Sequence, residues 1–483
     1  MGKKYIHLGN QKLKISKEPV KGDFVNINNE TFYKISNFDK MAPFLISVVS
    51  AADHWMFISS RGGLTAGRRN PDNALFPYVT DDKLHDSNEF TGNKTLIKIF
   101  DAKKIFLWEP FSERYEGIYS IKKNLYKNIY GTKIIFEEIN DDLNLIFSYS
   151  WSTSERYGFV KHSKIFNNSK NQRKIEILDG IQNILPSGLN LQIQTEYSTL
   201  VDGYKKNELI KKTGLALFTL SSIPSDLAQP SESLTATTVC NTGIKVDTIL
   251  LSSRQIDKFR KNLPIEYEIS SKGIRGAYFI KSQFKLQSQK FLDWYIIANV
   301  NQNLSDVIEL NNSLHNKNFK SLVVDDIQKS QNSLKKIVAQ ADGLQLSGNK
   351  LSATRHFSNV LFNIMRGGIF DNSYFIDRDY FIDFIKKANP FVLKAHNNFL
   401  KKLPAKILHS HLVNLVQQNL DPHFTRLAME YLPLIFSRRH GDPSRPWNKF
   451  SIDIKNEKGD KILNYQGNWR DIFQNWEALA LSY

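Results

Sequence analysis

The sequence predicts a multidomain β + α protein: a large antiparallel β-sandwich, a helical region, and the start of a second helical domain. Three observations predict it. Up to about residue 300 the apolar residues alternate with polar ones, the two-residue period of a half-buried strand. After that point they recur at three and four residues, the period of a helix face. The chain of 483 residues is also longer than one typical domain. The divisions that follow are 1–300 for the β domain, 301–436 for the helical linker and 437–483 for the beginning of the last domain.

Within the β region, Leu143, Leu145, Phe147, Tyr149 and Trp151 alternate with mostly polar residues, and Lys174-Ile175-Glu176-Ile177-Leu178 alternates as well. Ile134-Ile135-Phe136 is a continuous apolar run, as in a strand covered on both faces. Gly131, Asn140-Asp141-Asp142, Asn167-Asn168-Ser169 and Asp179-Gly180 supply the turns. Many such strands with few helical patterns between them argue for two packed antiparallel sheets. Ser221 to Glu232, with Pro224 and Pro230, reads as a surface loop.

In the helical region, Ile327, Leu334, Ile337 and Val338 fit one helix face, stopped by Gly343. Phe357, Val360, Leu361, Ile364 and Met365 make a second face that ends at Gly367-Gly368. Further helices are predicted over Tyr380 to Lys387, Pro390 to Leu403 and Ala405 to Gln418. Asp421-Pro422 opens another, with Asp as the cap and Pro at the first helical position.

Lys and Arg exceed Asp and Glu by 17, but the basic residues are spread in twos and form no tail or stripe, so no nucleic-acid partner is expected. No apolar run is long enough to span a bilayer, and the N-terminus has no apolar segment of a secretory signal, so no membrane partner is expected. Cys240 is the only cysteine, which excludes a disulfide framework and a cysteine zinc site and points to a cytoplasmic location.

Gly62-Gly63-Leu64-Thr65-Ala66-Gly67-Arg68-Arg69 is glycine-rich and basic but lacks the ending of a P-loop, so it reads as a tight loop between strands in preference to a phosphate cradle. Asp81, Asp82, His85 and Asp86 match no calcium-loop spacing and read as a solvated acidic loop. His409 and His411 lie two apart in a helical pattern and point away from each other, which argues against a shared metal. No metal or organic cofactor is expected.

Two segments carry chemistry. From Ser437 to Asn448 the chain concentrates Arg438, Arg439, His440 and Arg445, with Trp447, in a loop. Such residues suit an anion or phosphate, and a salt-bridged loop is the competing reading. Near the end, Trp469-Arg470-Asp471-Ile472-Phe473-Gln474-Asn475-Trp476 sets an Arg-Asp pair among aromatics. A guanidinium and a carboxylate hydrogen-bond vicinal hydroxyls, and indoles pack on the apolar face of a sugar ring. Asp471 and Glu477 are the candidate carboxylates of this last region, and both also suit a helix start.

Three stretches occur in one order along the chain. Phe44 to Ser50 leads through Phe57 to Gly63 to Asn70 and Asp81-Asp82, followed by Leu107-Trp108-Glu109-Pro110-Phe111. Lys164 to Ser169 with Arg173 to Ile177 is the second, and Trp469 to Asn475 the third. This layout resembles the cellobiose phosphorylase family of inverting glycoside phosphorylases: Leu107 to Phe111 is similar to the family's Trp-Ser-Pro stretch, the second to its Leu-x-Asn-x-Ser…Arg strand pair, and the third to its Phe-Arg-Asp-Gln-Leu-Gln-Asp, with Asn475 in place of the final Asp.

The resemblance implies a galactose mutarotase-like β-supersandwich, a helical linker and an (α/α)6 barrel. It implies phosphorolysis of a β-linked gluco-oligosaccharide with inversion, inorganic phosphate being the co-substrate. Arg470 and Asp471 would bind the non-reducing sugar, beside Trp469, Gln474 and Trp476. Arg438, Arg439, His440 and Arg445 are the candidates for phosphate, and the general acid is expected beyond Tyr483, so this chain alone is expected to be inactive. An inverting hydrolase of the same fold and a glycan-binding β-sandwich are the rivals. A homodimer is the assembly to test.

Overall fold

The alternation at Leu145, Phe147, Tyr149 and Trp151 builds the strand Leu145–Ser154, whose odd residues point inward and whose even residues, from Ile146 to Ser154, face the other way. A computed structural model describes residues 6–223, 233–439, 441–456, 459–463 and 465–466. The chain divides into two compact units: Met1–Ser333 with Gly441–Asn448, and Leu334–His440 with Lys449–Tyr483.

The first unit is antiparallel β throughout its sheets. Eleven strands form one sheet, in the order Ser270–Lys272, Lys205–Ile210, Leu215–Leu220, Ala236–Thr242, Phe291–Gln302, Gly158–Asn167, Leu145–Ser154, Lys133–Asn140, Ile121–Asn128, Glu30–Ser36 and Lys21–Ile27. Five form a second: Lys104–Trp108, Gly92–Asp101, Arg173–Ile184, Gly276–Leu286 and Thr248–Leu250. A four-stranded sheet from Leu45–Val48 to Ala74–Phe76 is the third, and His7–Leu8 pairs with Gln11–Lys12 in a two-stranded one. The main core draws Phe136, Phe147, Trp151 and Trp294 from the large sheet, Ile97, Ile177 and Ile280 from the second, and Ile58 and Leu64 from the third.

One polar group sits inside this core. The Asp179 carboxylate, on the five-stranded sheet, takes hydrogen bonds from Lys161, Ser163 and Trp294 of the eleven-stranded sheet and from Thr95 of its own. Burial pushes the Lys161 ammonium pKa down, and Asp179 opposes that shift.

Two expectations about strand faces change places. Lys174 to Leu178 alternates in sequence, yet Ile175 to Leu178 are all buried. The helix Ile256–Arg260 covers the outer face, with Phe259 against Leu178 and Phe279, and Glu176 is paired with Lys98 and Lys281. Ile134-Ile135-Phe136 is covered on one face only, since Ile135 is half-buried. Leu143 belongs to the turn that precedes its strand.

The Asn167-Asn168-Ser169 turn is a lock. The buried Asn167 amide donates to the carbonyls of Asn171, Leu286 and Gln287, and its oxygen accepts from the backbone and hydroxyl of Ser169. Leu107 to Phe111 has a comparable structural role: Glu138 accepts from Trp108 Nε1 at 2.7 Å and from the Phe111 backbone at 2.6 Å. Glu109, its side chain fully buried, is clamped by Arg260 and Lys94.

The helices follow the predicted faces. Leu304–Ser313 opens with a capping box at Asn303 and Asp306. Phe319–Gln340 and Lys350–Gly367 carry the expected apolar residues, and Gly368, at φ +80°, caps the second of them. Arg378–Ala388, Pro390–Lys402 and Pro422–Glu430 agree with the sequence, including the Asp421 cap. Ala405 to Gln418 is not a single helix. Lys406–Leu408 is a short strand paired with Phe375–Asp377, and the helix is His409–Gln417.

Within the second unit, residues 371 to 433 make an excursion that returns to its starting point. Ile369–Phe370 pairs with Leu434–Ile435 to form a two-stranded neck. Beyond it lies a separate core that includes Phe381, Ile385, Leu400, Leu412, Phe424 and Tyr431. After residue 436 the described residues contain turns and isolated β-bridges but no helix.

Candidate functional site

Trp469, Arg470, Asp471, Gln474 and Trp476 lie outside the described residues, as does His440. Of the proposed anion-binding residues, Arg438 is 7% exposed, with its guanidinium 4.4 Å from the centre of the Phe436 ring and its backbone N–H on Met365 O. Arg439 forms an antiparallel bridge with Ser451. Arg438 and Arg439 belong to the second unit and Arg445, which is exposed, to the first. In the first unit the loop carrying Arg445 docks through Pro443, whose carbonyl accepts the Asp81 N–H at 3.3 Å.

Gly62 and Gly63 form the turn between His54–Ser59 and Leu64–Arg68, with Gly62 at φ +101°. Only the two glycines are thus the loop read from sequence; Leu64–Arg68 is a strand, and Arg68 at its end pairs with Asp53 at 2.7 Å as a structural cation. Asp81 to His85 forms a short helix in place of the loop read from sequence, and the His85 ring meets Ser59 Oγ at 2.7 Å. No group of three metal-ligating side chains occurs among the described residues.

Sequence reasoning missed a polar strip on the outer face of the eleven-stranded sheet. Directly opposed residues share a face, and the register sets Glu137, Ser148, Lys164 and Asp293 in one row across four strands. The adjacent row is Ile135, Ser150, His162 and Tyr295. The strip was legible in principle from the polar even positions His162 and Lys164 between inward-facing residues.

His162 Nε2 lies 2.9 Å from Asp293 Oδ2, and Lys320 Nζ is 3.0 Å from both carboxylate oxygens. The His162 ring stacks on Tyr295, with centres 4.2 Å apart. The His162 hydrogen bond, helped by Lys320, holds the Asp293 pKa down at about 2. Burial, with Lys133 and Lys320 nearby, lowers the His162 pKa in spite of Asp293. Glu137 Oε1 accepts from Tyr126 at 2.7 Å and Asn124 at 2.8 Å. Lys164 Nζ sits 4.2 Å from the centre of the Phe291 ring, and the buried Ser150 Oγ has no hydrogen-bond partner among the described residues. Fixed carboxylates and hydroxyls on one face can exchange hydrogen bonds with a hydroxyl-rich ligand, and aromatic rings beside them can pack on its apolar side.

The strip also sets a pH dependence. A histidine whose folded pKa is depressed is neutral in the fold, so its contribution is present above the unfolded value of about 6.5 and is lost as pH falls below it. Asp293 is depressed as well, so its contribution persists until pH falls below the ordinary carboxylate range toward 2. Stability measured by urea unfolding is expected to fall over the interval just below about pH 6.5 in the unaltered protein. His162→Gln should flatten that interval, and an unchanged slope would show that His162 does not titrate there.

Residues 370–433 match the family described as glycoside hydrolase family 149 insertion domain 1. The match coincides with the excursion beyond the neck. No curated protein matches the chain by sequence. Among solved structures, a bacterial glucoamylase complexed with acarbose aligns with 74% of this chain and 43% of its own, at 9% identity and a TM-score of 0.35. A kojibiose phosphorylase candidate from the human microbiome aligns over 73% of this chain and 40% of its own, at 10% identity and 0.30. A galactose mutarotase-like protein from Clostridium acetobutylicum aligns over 59% and 99%, at 10% identity and 0.26. Likenesses this slight carry no weight in the functional reading. The chain spans about two fifths of the length of the first two. The inserted module is thus similar to one found in carbohydrate-active enzymes. No helix among the described residues is long and apolar enough to cross a membrane.

Proposed function

We propose that this chain is part of a carbohydrate-active enzyme that cleaves a β-linked gluco-oligosaccharide by phosphorolysis with inversion. The observation that carries the reading is the likeness of residues 370–433 to an insertion domain of a glycoside hydrolase family. The Arg470-Asp471 pair among aromatics supports it. In this reading Arg470 and Asp471 bind hydroxyls of the non-reducing sugar, Gln474 adds a hydrogen bond, and Trp469 and Trp476 wall the ring. Arg438, Arg439, His440 and Arg445 are assigned to phosphate. The cellobiose phosphorylase likeness, the supersandwich, the (α/α)6 barrel and the cytoplasmic location belong to the same proposal.

The test is an assay of the protein from its whole reading frame on β-linked glucose disaccharides and oligosaccharides, with and without phosphate. Phosphate-dependent release of a sugar 1-phosphate is expected. Release of free sugar that ignores phosphate would make it a hydrolase. Arg470→Ala should weaken sugar binding by roughly 1.5–3 kcal/mol, the worth of a hydrogen bond to a charged group, with the melting temperature unchanged. A second reading, glycan binding by the sandwich itself, is favoured by the strip around Glu137, His162 and Asp293. Oligosaccharide binding that survives Arg470→Ala and disappears in Glu137→Gln would establish it.

A further inference from the structure

The outer face of the eleven-stranded sheet holds more than the two polar rows. Ile139, Ile146, Phe166 and Phe291 form a third row on the same face, next to the one that carries Glu137 and Asp293. The first three are half-buried and Phe291 is 55% exposed. Successive rows stand two residues apart along each strand, about 6.8 Å. Along Leu145–Ser154 the face therefore passes from an apolar row at Ile146 to hydroxyls at Ser148, Ser150 and Ser152.

These serines are short and their cross-strand neighbours are long. Glu137 and Lys164 stand on either side of Ser148, and Ile135 and His162 on either side of Ser150. The strand is thus the floor of a furrow whose walls lie two strand spacings apart, about 9.5 Å. One end is closed. Past Ser152, Ser154 Oγ donates to Asp326 Oδ2, and the Glu155 N–H donates to Ser330 Oγ at 3.0 Å, both on the helix Phe319–Gln340. Val160, opposite Ser152, shares a core with Phe319 and Val323 of that helix. The other end opens where the strand begins, one residue before Ile146.

The charged groups along the furrow are already matched. Asp293 holds His162 and Lys320, Glu30 pairs with Lys133 at 3.4 Å, and Glu137 receives Tyr126 and Asn124. Lys164 rests over the Phe291 ring. The group left unmet is uncharged. Ser150 is 3% exposed, and its Oγ has no hydrogen-bond partner among the described residues. A buried hydroxyl without a partner is costly, and a ligand hydroxyl would remove that cost.

We propose that this furrow docks the end of a neutral glycan chain. The terminal ring lies over Ser148 and Ser150 and exchanges hydrogen bonds with them and with Glu137. The next ring packs its apolar side on Ile146 and Phe166. A furrow closed by a helix stops a chain end, whereas a chain passing through would need both ends open. The inference rests on the second reading above, glycan binding by the sandwich, and adds to it which part of the glycan is held. The open floor from Ile146 to Ser150 spans four residue steps, about 14 Å, room for about two or three rings.

The experiment is calorimetric binding to the 483-residue chain. The probes are linear β-linked gluco-oligosaccharides of increasing length and a cyclic glucan of the same linkage, which has no end. Affinity should rise from glucose to the trisaccharide, stay level for longer chains, and be absent for the cyclic glucan. Ser150→Ala should weaken binding roughly tenfold, the loss of about one hydrogen bond, without lowering the melting temperature, because its hydroxyl has no partner in the free protein. Ser148→Leu, at a half-buried position, should block the furrow and abolish binding. A cyclic glucan that binds as tightly as the linear chains overturns the proposal, as does a markedly lower melting temperature for Ser150→Ala. Loss of binding in Glu137→Gln with unaltered affinity in Ser150→Ala or Ser148→Leu overturns the furrow and leaves the strip reading standing. Unaltered binding in Glu137→Gln, or no binding by the unaltered chain, overturns the strip reading and the furrow with it.

Discussion

Asp179→Ala is expected to destabilise the sandwich by about 3–5 kcal/mol, the usual cost of leaving one member of a buried ion pair alone. The carboxylate receives Thr95 Oγ1 at 2.6 Å, Lys161 Nζ at 2.7 Å, Trp294 Nε1 at 2.7 Å and Ser163 Oγ at 3.0 Å. Both Lys161 and Asp179 have fully buried side chains. With alanine, the ammonium keeps only the Gly180 carbonyl at 3.1 Å, the indole and the Ser163 hydroxyl lose their acceptor, and the Thr95 hydroxyl is left with Asn93 Oδ1 at 3.2 Å. Urea unfolding followed by near-ultraviolet circular dichroism measures the loss. The double variant Asp179→Ala with Lys161→Met should recover much of it, because two apolar side chains leave no unpaired charge. A loss below about 1 kcal/mol for Asp179→Ala would mean that the core, and not this node, holds the two sheets together.

Phe424→Ala should unfold the inserted module and leave the first unit folded. Phe424 is fully buried, stacks on His396 with centres 4.3 Å apart, and meets Phe399 edge-on. Truncating a buried phenylalanine costs about 3–5 kcal/mol. A module of roughly sixty residues has about 3–9 kcal/mol in all at typical stability per residue. The module has its own core and meets the rest of its chain at two short strands, so its unfolding need not propagate. Limited proteolysis is the measurement. Cleavage confined to residues 371–433, with a resistant fragment covering the first unit, is expected. A single cooperative loss of both units would show that the module is integral to the sandwich.

How much of this was legible in the sequence depended on what each residue pattern reports. The strand at Leu145 and the helix after Asp421 were legible because their signals are local: a two-residue period, and a cap followed by proline. Faces were not. Lys174 to Leu178 alternates like an exposed strand because Lys98 and Lys281 neutralise Glu176 from neighbouring strands, which no single segment reveals. Lys406–Leu408 was read as helix because its partner Phe375–Asp377 lies far back in the chain. The polar strip escaped for the same reason, since Glu137, His162 and Asp293 meet only through register. The neck needed pairing between residues 369–370 and 434–435, two-residue strands with no period to detect.

The eleven-stranded sheet has a further consequence at its margins. An open sheet ends in two rows of unpaired backbone groups, and each row is a template on which another chain can add a strand. One margin here is Ser270–Lys272, only three residues long and ending in a cation. The other is Lys21–Ile27, which exposes Lys21 and Asp23 at its start. Short length and exposed charge both oppose edge-to-edge addition. Removing these charges should make the protein prone to polymerise without altering its core, its strip or its neck. At these two margins, resistance to edge-to-edge addition is therefore set by strands that carry none of the chemistry.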